Sequence, residues 1–304
     1  MRKIIFILCF VCTVPLMAQQ VPMYSQFMFH DYIINPAVVG TYDYYDVKMT
    51  QRLQWVGIDD APRTLALSGQ GPLKNRKMGL GAYFLNDRAG HIYQQSGFLS
   101  YSYIAKLSGG VNMSFGLSAG ITGWTLDGSK LNMNETGDQV LSNQLQSAYV
   151  PDGSFGWMLY SKSLRAGFSV NQIFGMFGNK LEFFDDGNVG TAKLEPHINF
   201  HVSYEIGNDE SQFLFTPYML LKYVEPTPMQ FDIGIKAEYK KTIWLGATYR
   251  SKEAFSVLLG LRFRDNISFG YSYDVITSDI SIRSKATHEI MLGIRLQRSL
   301  PKKL

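Results

Sequence analysis

The sequence is poor in cysteine, in charge and in long apolar runs. Its two cysteines, Cys9 and Cys12, both fall in the first 18 residues, so the chain from residue 19 onward can form no disulfide and no thiol-based site. Charged residues make up 18% of the chain, against roughly 25% in a typical soluble domain. No run of about 18 apolar residues occurs inside the chain, which excludes a membrane-spanning helix.

The first 18 residues have the features of a secretory signal peptide. Arg2 and Lys3 form the positively charged start, and residues 4–16 form the apolar core. Ala18 supplies the small residue of a cleavage site, so we expect cleavage after Ala18. An uncleaved anchor helix is disfavoured because the apolar run is too short to span a bilayer. Removing two of the 29 basic residues leaves 27 against 25 acidic ones, a balance that excludes a strong interaction with nucleic acid.

Aromatic residues and glycine are abundant instead, at 14% and 28 residues, and much of the chain alternates apolar and polar residues. In segment 229–239 every odd position is apolar, whereas the even positions include Asp232, Lys236 and Glu238. Successive strand side chains point to opposite faces, so this segment lies between an apolar and a polar environment. Alternation repeated over many segments of this length predicts an all-β protein, a transmembrane antiparallel β-barrel in contact with outer-membrane lipid.

The alternation divides residues 43–304 into about fourteen strands. Outer-membrane barrels of bacteria have short periplasmic turns and longer external loops. Here every second connection, counted from the one after the second strand, is short and polar. The connections that alternate with these include the three longest, 126–151, 174–193 and 276–285. We therefore expect the first strand to start, and the last strand to end, on the periplasmic side. The competing interpretation is a soluble β-sandwich or lipocalin-like barrel, whose surface would carry more charge. The predicted strands are 43–54, 62–70, 76–85, 91–105, 109–124, 152–161, 163–173, 194–206, 211–223, 229–239, 242–251, 254–264, 267–275 and 286–297.

Residues 19–42 form a leader between the signal peptide (1–18) and the barrel. It is too rich in apolar and aromatic side chains for a free tail, so we expect it to pack against the barrel. It could cap the periplasmic mouth or enter the lumen as a plug, and we favour the plug. The side chains on which this expectation depends are Met23, Tyr24, Phe27, Met28, Phe29, Tyr32, Ile33 and Ile34.

Charged residues fall on the non-lipid face of the last five predicted strands. They could line a polar pathway or docking surface, or form a compensated network that fills the lumen. Charges of both signs favour the network, because buried charges must be paired to be tolerated. The candidates are Asp232, Lys236, Glu238, Arg250, Arg262, Arg264, Asp274, Glu289 and Arg295.

An external turn, residues 54–62, is the candidate partner-contact loop. It combines Trp55 with Asp59, Asp60 and Pro62, and binding residues concentrate in loops on rigid scaffolds. The alternative is a self-packed cap over the barrel mouth.

We predict no catalytic residue, cofactor or metal site. His197 and His201 share a strand face but lie about 13 Å apart in an extended strand, too far to ligate one metal ion. No nucleophile has the motif that serine hydrolase chemistry needs. The long connection 126–151 holds Asp127, Glu135 and Asp138, whose spacing matches no calcium loop, so a solvated loop is favoured there.

Several stretches together resemble the PorP/SprF family of type IX secretion and gliding-motility outer-membrane proteins. The resemblance spans the chain after residue 18 in one order, although the family's Tyr before Asn-Pro-Ala is Ile34 here. The matching stretches are 24–29 (YSQFMF), 35–40 (NPAVVG), 51–73 (QRLQWVGIDDAPRTLALSGQGPL), 79–90 (GLGAYFLNDRAG), 115–120 (FGLSAG), 151–156 (PDGSFG), 166–172 (AGFSVNQ), 220–232 (LLKYVEPTPMQFD), 270–274 (GYSYD) and 288–293 (HEIMLG).

This resemblance implies a non-enzymatic barrel in the outer membrane of Bacteroidota-type bacteria. It implies partners as well: secreted proteins that carry a C-terminal secretion domain, and other type IX secretion components. The expected role is to export such proteins or to hold them at the cell surface. The barrel pattern alone leaves a second function open, an outer-membrane channel for small solutes or lipophilic molecules.

Overall fold

The computed structural model contains sixteen strands in the part of the chain that it describes. No helix in that part is long and apolar enough to cross a membrane. The predictions for the signal peptide, and for a solvated loop around Glu135 and Asp138, lie outside the described residues. Those residues are 22–127, 145–178, 180–185, 188–208, 210–264 and 266–297. The strands are β1 (Tyr44–Val56), β2 (Arg63–Pro72), β3 (Met78–Ala89), β4 (Ile92–Lys106), β5 (Asn112–Asp127), β6 (Leu145–Tyr160), β7 (Leu164–Asn171), β8 (Lys180–Asp185), β9 (Asn188–Lys193), β10 (His197–Tyr204), β11 (Phe213–Tyr223), β12 (Gln230–Tyr239), β13 (Ile243–Arg250), β14 (Ala254–Phe263), β15 (Ile267–Ile276) and β16 (Ala286–Gln297).

Fourteen of these strands close into one antiparallel barrel, which confirms the predicted fold and strand number. The barrel closes where β1 pairs with β16, with Tyr44 opposite Gln297. The other two strands, β8 and β9, form a separate hairpin in the connection between β7 and β10. The sequence prediction missed this hairpin, because its two strands have six residues each and a spanning strand needs about nine to eleven.

Side chains alternate between an exposed apolar face and a buried polar face. In β12, Ile233 and Ile235 are 50% and 49% exposed, whereas Asp232 and Glu238 are 0% and 4% exposed. Serine, threonine and charged residues dominate the inward positions of the neighbouring strands as well. An apolar band outside and a polar interior are what a barrel in lipid requires.

The connections distinguish the two ends of the barrel. Those that join β2–β3, β4–β5, β6–β7, β10–β11, β12–β13 and β14–β15 are short, and β1 starts and β16 ends on the same side. We name this end the periplasmic mouth, because outer-membrane barrels place their short turns there. The opposite end, with the longer connections, is the outer mouth.

The hairpin of β5 and β6 extends further than predicted. Residues 126–127 and 145–151 of the predicted loop 126–151 belong to these strands, since β5 ends at Asp127 and β6 begins at Leu145. This part of the loop prediction was wrong, because the predicted strand began only at residue 152 and the run from Leu145 was assigned to the loop. Its inward side chains Ala148 and Val150 nevertheless bury against Leu194.

Candidate functional site

Residues 22–42, named here the inner segment, contact inward-facing side chains at both mouths. One cavity lies at each mouth of the barrel. Met23 and Ile33 line the cavity at the outer mouth. Phe29 and Tyr42 line the cavity at the periplasmic mouth. The segment therefore reaches from one mouth to the other instead of lying beneath one of them. That it closes the barrel to passage stays a prediction.

Two short 3-10 helices, Asp31–Ile33 and Pro36–Val38, fold the inner segment back on itself. Asn35 precedes the second one, and its side chain accepts a hydrogen bond from the Ala37 backbone at 2.9 Å. Pro36 occupies the first helical position, where its missing N–H costs no hydrogen bond. The Asn-Pro-Ala sequence thus forms a local cap, and the amide of Asn35 also donates to the Trp157 carbonyl at 3.2 Å.

Glycines in the barrel wall let this turn approach closely. A Cβ atom at Gly116 in β5 would collide with the backbone of Pro36 and Ala37, and one at Gly156 in β6 with the side-chain oxygen of Asn35. Glycine is the residue that permits such an approach of two backbones. Two of the glycine-rich stretches seen in the sequence are therefore contact points for the inner segment.

His30 anchors the middle of the inner segment to β1 and β2. Its Nδ1 lies 2.9 Å from the Thr50 hydroxyl and its Nε2 lies 2.6 Å from the Ser68 hydroxyl. Burial, together with the nearby positive charge of Lys48, lowers the pKa of His30 well below its ordinary value. The imidazole is therefore neutral at pH 7, and one ring nitrogen donates while the other accepts.

A charged cluster at the outer mouth binds the start of the inner segment. Both oxygens of the Glu289 carboxylate accept backbone hydrogen bonds, from Ser25 at 2.8 Å and from Gln26 at 2.9 Å. Arg52 lies 3.0 Å from Glu289 and 2.9 Å from Asp274. All three charged side chains are almost fully buried, so each depends on the others for its charge to be tolerated.

A second cluster continues around the outer mouth. Asp232 lies 3.2 Å from Arg250 and 3.1 Å from Lys222. Arg250 also donates to the Tyr24 carbonyl at 3.0 Å and lies 3.5 Å from Glu253. Together the two clusters hold the backbone of residues 24–26.

The remaining predicted network residues lie at the periplasmic mouth. Lys236 and Arg262 both contact Glu238, at 2.8 and 3.2 Å, and the Arg295 guanidinium lies 4.7 Å from the centre of the Tyr44 ring. Arg264 does not join them: it is exposed, in the turn between β14 and β15, because the chain has left the strand there.

The structure thus divides the predicted network into two groups and adds three members, Arg52, Lys222 and Glu253. The sequence analysis missed these three because it followed only the charges of the last five strands. Arg52 could have been found on the inward phase of β1, opposite Glu289 in the register.

Asp127, which the sequence analysis considered with the long loop, is buried in β5 and has an interaction partner.

The candidate contact loop lies on the rim of the outer mouth. Asp59 is exposed, Pro62 half-buried, and Asp60 pairs with Arg88 at 2.9 Å. The backbone N–H of Trp55 donates to Thr287 at 3.0 Å. Part of the loop therefore binds to the barrel itself, while Asp59 faces outward.

A cavity of about 460 Å³ opens beside this loop. Its walls are mainly apolar, with Met23, Leu220, Val224 and Met229 among the lining residues. Its size and character are those of a site for a small apolar group or ligand. No group of three or more histidine, cysteine, aspartate or glutamate side chains in the described ranges could hold a metal ion.

A closed, lipid-facing barrel with a polar interior defines this protein as an outer-membrane β-barrel. The model of the type IX secretion system membrane protein family PorP/SprF matches residues 16–294. The chain belongs to this family, as the sequence resemblance predicted, and it resides in the outer membrane. No curated protein matches the sequence.

Several solved outer-membrane proteins have similar structures. The CymD monoaromatic hydrocarbon channel is 12% identical over 91% of this chain and 94% of that one, with a TM-score of 0.51. A FadL homologue from Pseudomonas aeruginosa is 9% identical over 84% and 88%, with a TM-score of 0.47. Omp33 from Acinetobacter baumannii is 6% identical over 84% and 98%, with a TM-score of 0.46. Identities this low concern the fold alone.

Proposed function

We propose that this protein is a non-enzymatic component of the type IX secretion or gliding apparatus. It supports the export, or the attachment at the cell surface, of proteins with a C-terminal secretion domain. The family match over residues 16–294 carries this proposal. The inner segment supports it, because a segment that contacts inward-facing side chains at both mouths suits a binding scaffold better than a wide conduit.

In this proposal the secreted partner contacts the rim of the outer mouth. The loop at residues 54–62 lines the apolar cavity with Gln54 and Trp55 and carries the exposed Asp59. A partner could place an apolar side chain in that cavity, and its polar groups would then face Asp59. Buried apolar anchors surrounded by polar contacts are typical of protein interfaces.

Deletion of the gene tests the role. We expect one or more surface proteins with C-terminal secretion domains to be depleted from the cell surface and the medium, measured by proteomics. Restoring the full chain should restore them, whereas a chain with Trp55→Ala and Asp59→Asn should restore them only in part. Unchanged surface and secreted proteomes in the deletion strain would refute the proposal.

The apolar cavity favours a second candidate function, a channel for lipophilic molecules. The CymD structure belongs to a monoaromatic hydrocarbon channel, and the cavity here would admit a small apolar molecule. The purified protein would then have to carry a hydrophobic solute across vesicles or conduct ions in planar bilayers. A barrel that neither carries a hydrophobic solute nor conducts ions would exclude this function.

A further inference from the structure

One strip of the outer surface of the barrel departs from the apolar band. On β3 the lipid-facing side chains run from Phe84 through Asn86 to Arg88 near the outer mouth. On β2 they run from Leu65 to Arg63, and Arg63 lies opposite Arg88 in the register. Charged side chains are tolerated on the lipid face only near the membrane interface. Both guanidinium groups therefore lie at the level of the lipid headgroups.

The two arginines form a pair of like charges. They are direct cross-strand neighbours, and like charges in that position repel each other. Asp60 neutralises only one of them, since its carboxylate lies 2.9 Å from Arg88. The Arg63 side chain has no ion pair or hydrogen bond within the part of the chain that the structure describes. An anion that contacts both guanidinium groups would relieve this repulsion.

Amide and aromatic side chains adjoin the two arginines. The Gln95 amide donates to the Asn86 side-chain oxygen at 3.1 Å on the exposed surface. Tyr93 lies opposite Arg88 in β4, and the Arg88 guanidinium lies 5.2 Å from the centre of its ring. We name these five residues, Arg63, Asn86, Arg88, Tyr93 and Gln95, the arginine patch.

The chemistry of the arginine patch fits a phosphate that is attached to a sugar. The planar guanidinium group presents a fork of donors that matches a phosphate in two hydrogen bonds. The side-chain amides of asparagine and glutamine both donate and accept, as the hydroxyl and amide groups of an amino sugar require. Apolar side chains continue the same face toward the middle of the membrane, with Leu65 and Phe84 the nearest, so acyl chains can lie there.

Strands β13 to β15 differ at the same level of the wall. Their lipid-facing side chains near the outer mouth are Tyr249, Phe255 and Val275, which lie side by side in the sheet. Aromatic and apolar side chains are usual where a barrel meets the membrane interface. The arginine patch is thus a local feature of β2 to β4, which points to one particular headgroup.

We propose that the arginine patch binds the phosphorylated amino-sugar headgroup of lipid A, a glycolipid of the outer leaflet. The phosphate bridges the two guanidinium groups, and the amides contact the sugar. Clustered cations at a membrane surface recognise anionic lipids in this way. The proposed secretion role uses none of the five side chains, so the two proposals stand or fall separately.

The test uses the purified full chain in neutral detergent micelles, and native mass spectrometry measures the lipids bound to it. Monophosphoryl lipid A is the probe. The same lipid without its phosphate, phosphatidylglycerol and inorganic phosphate are the comparison ligands. The patch variant, Arg63→Gln with Arg88→Gln, removes both guanidinium groups.

The matched control, Arg76→Gln with Arg264→Gln, removes two exposed arginines from turns at the periplasmic mouth. Arg76 resembles Arg88 in having one aspartate partner, Asp43 at 3.3 Å. The control therefore changes the net charge by the same amount without touching the patch.

We expect monophosphoryl lipid A to bind the wild-type chain at least about tenfold more tightly than either comparison lipid, because it alone combines the phosphate with the amino sugar. The patch variant should weaken this binding about tenfold and the control less than about twofold. Heat-modifiable migration on gels verifies that each variant is folded. If the patch variant does not fold, the single change Arg63→Gln, which breaks no side-chain contact, gives the same comparison.

Three results would overturn the proposal. In the first, the wild-type chain binds lipid A no more tightly than phosphatidylglycerol, which would mean a general attraction to anionic lipids. In the second, the patch variant and the control weaken binding equally, which would mean an effect of net charge. In the third, inorganic phosphate displaces lipid A at equal concentration, which would mean a site for small anions.

Discussion

The outer and periplasmic mouths of this barrel both carry many charges but use them differently. At the outer mouth three cations face four carboxylates, and together they hold the backbone of residues 24–26. At the periplasmic mouth seven cations line a cavity with two acids. Charges deep in the wall must be matched to be tolerated, whereas charges near an open mouth keep part of their hydration, so their pairing contributes less to stability.

The largest expected effect comes from breaking the paired charges of the outer cluster. Replacing Glu289→Ala leaves Arg52 buried without one of its two carboxylates and removes the acceptor of two backbone N–H groups. We expect a loss of about 3–5 kcal/mol in the free energy of unfolding, the usual cost of removing one partner of a buried pair. Urea unfolding of the protein folded into lipid vesicles measures it.

The exposed Glu210, in a periplasmic turn, supplies the control. Its change to alanine should alter stability by less than about 0.5 kcal/mol. Equal unfolding midpoints for the two variants would mean that the outer cluster does not hold the structure.

A second prediction concerns the close packing of the inner segment against the barrel wall. Gly116→Val would place a side chain where Pro36 and Ala37 lie, and overpacking of this kind costs about 1–3 kcal/mol. We expect the segment to move away from the wall. Maleimide labelling of an Ala37→Cys reporter, in a chain with Cys9 and Cys12 changed to serine, should accelerate.

Gly97→Val is the matched control, because Gly97 also lies in the wall but nothing lies within 4 Å of its added Cβ. Labelling should stay slow in that variant. Equally fast labelling in both would show that the glycine contact does not retain the segment.

A third prediction follows from His30. Its pKa is lowered in the docked segment, so docking is fully favourable above the ordinary histidine pKa of about 6.5 and weakens as the pH falls below it. The expected loss is at most about 1.4 kcal/mol per pH unit. Labelling of the same Ala37→Cys reporter between pH 7.5 and 5.5 measures it.

The variant His30→Gln should remove this pH dependence while keeping a donor and an acceptor. If the pH dependence persists unchanged in that variant, another group is responsible.

The smallest expected effect concerns two aspartates of the rim loop. It compares Asp60, which pairs with a barrel residue, with Asp59, which is proposed to contact a partner. Asp60→Asn weakens a partly exposed ion pair with Arg88, which is worth no more than about 1 kcal/mol. Asp59→Asn should leave stability unchanged but reduce retention of a surface protein, if the rim binds one. Thermal unfolding and surface proteomics of the two variants make the comparison, and identical behaviour in both assays would remove Asp59 from the interface.

Much of the fold could be predicted from residue pattern alone. The alternation of short and long connections supported the count of fourteen strands. Segment 229–239 alternates so regularly that only a strand with one apolar and one polar face satisfies it. The same pattern placed Asp232 and Glu238 on the inward face, where the structure has them. The hairpin of β8 and β9 was not predicted, because its strands are shorter than the strands that span a membrane.

The sequence by itself determined an alternating, cysteine-poor chain that closes into a barrel, because alternation is a local property of each strand. Only the tertiary structure decided which charges meet. Arg52 and Glu289 are 237 positions apart and become neighbours when β1 pairs with β16. The route of residues 22–42 was also a tertiary matter, since glycines in distant strands determine where that segment can approach the wall. Local pattern decides which face a side chain occupies, and closure of the barrel decides its partner.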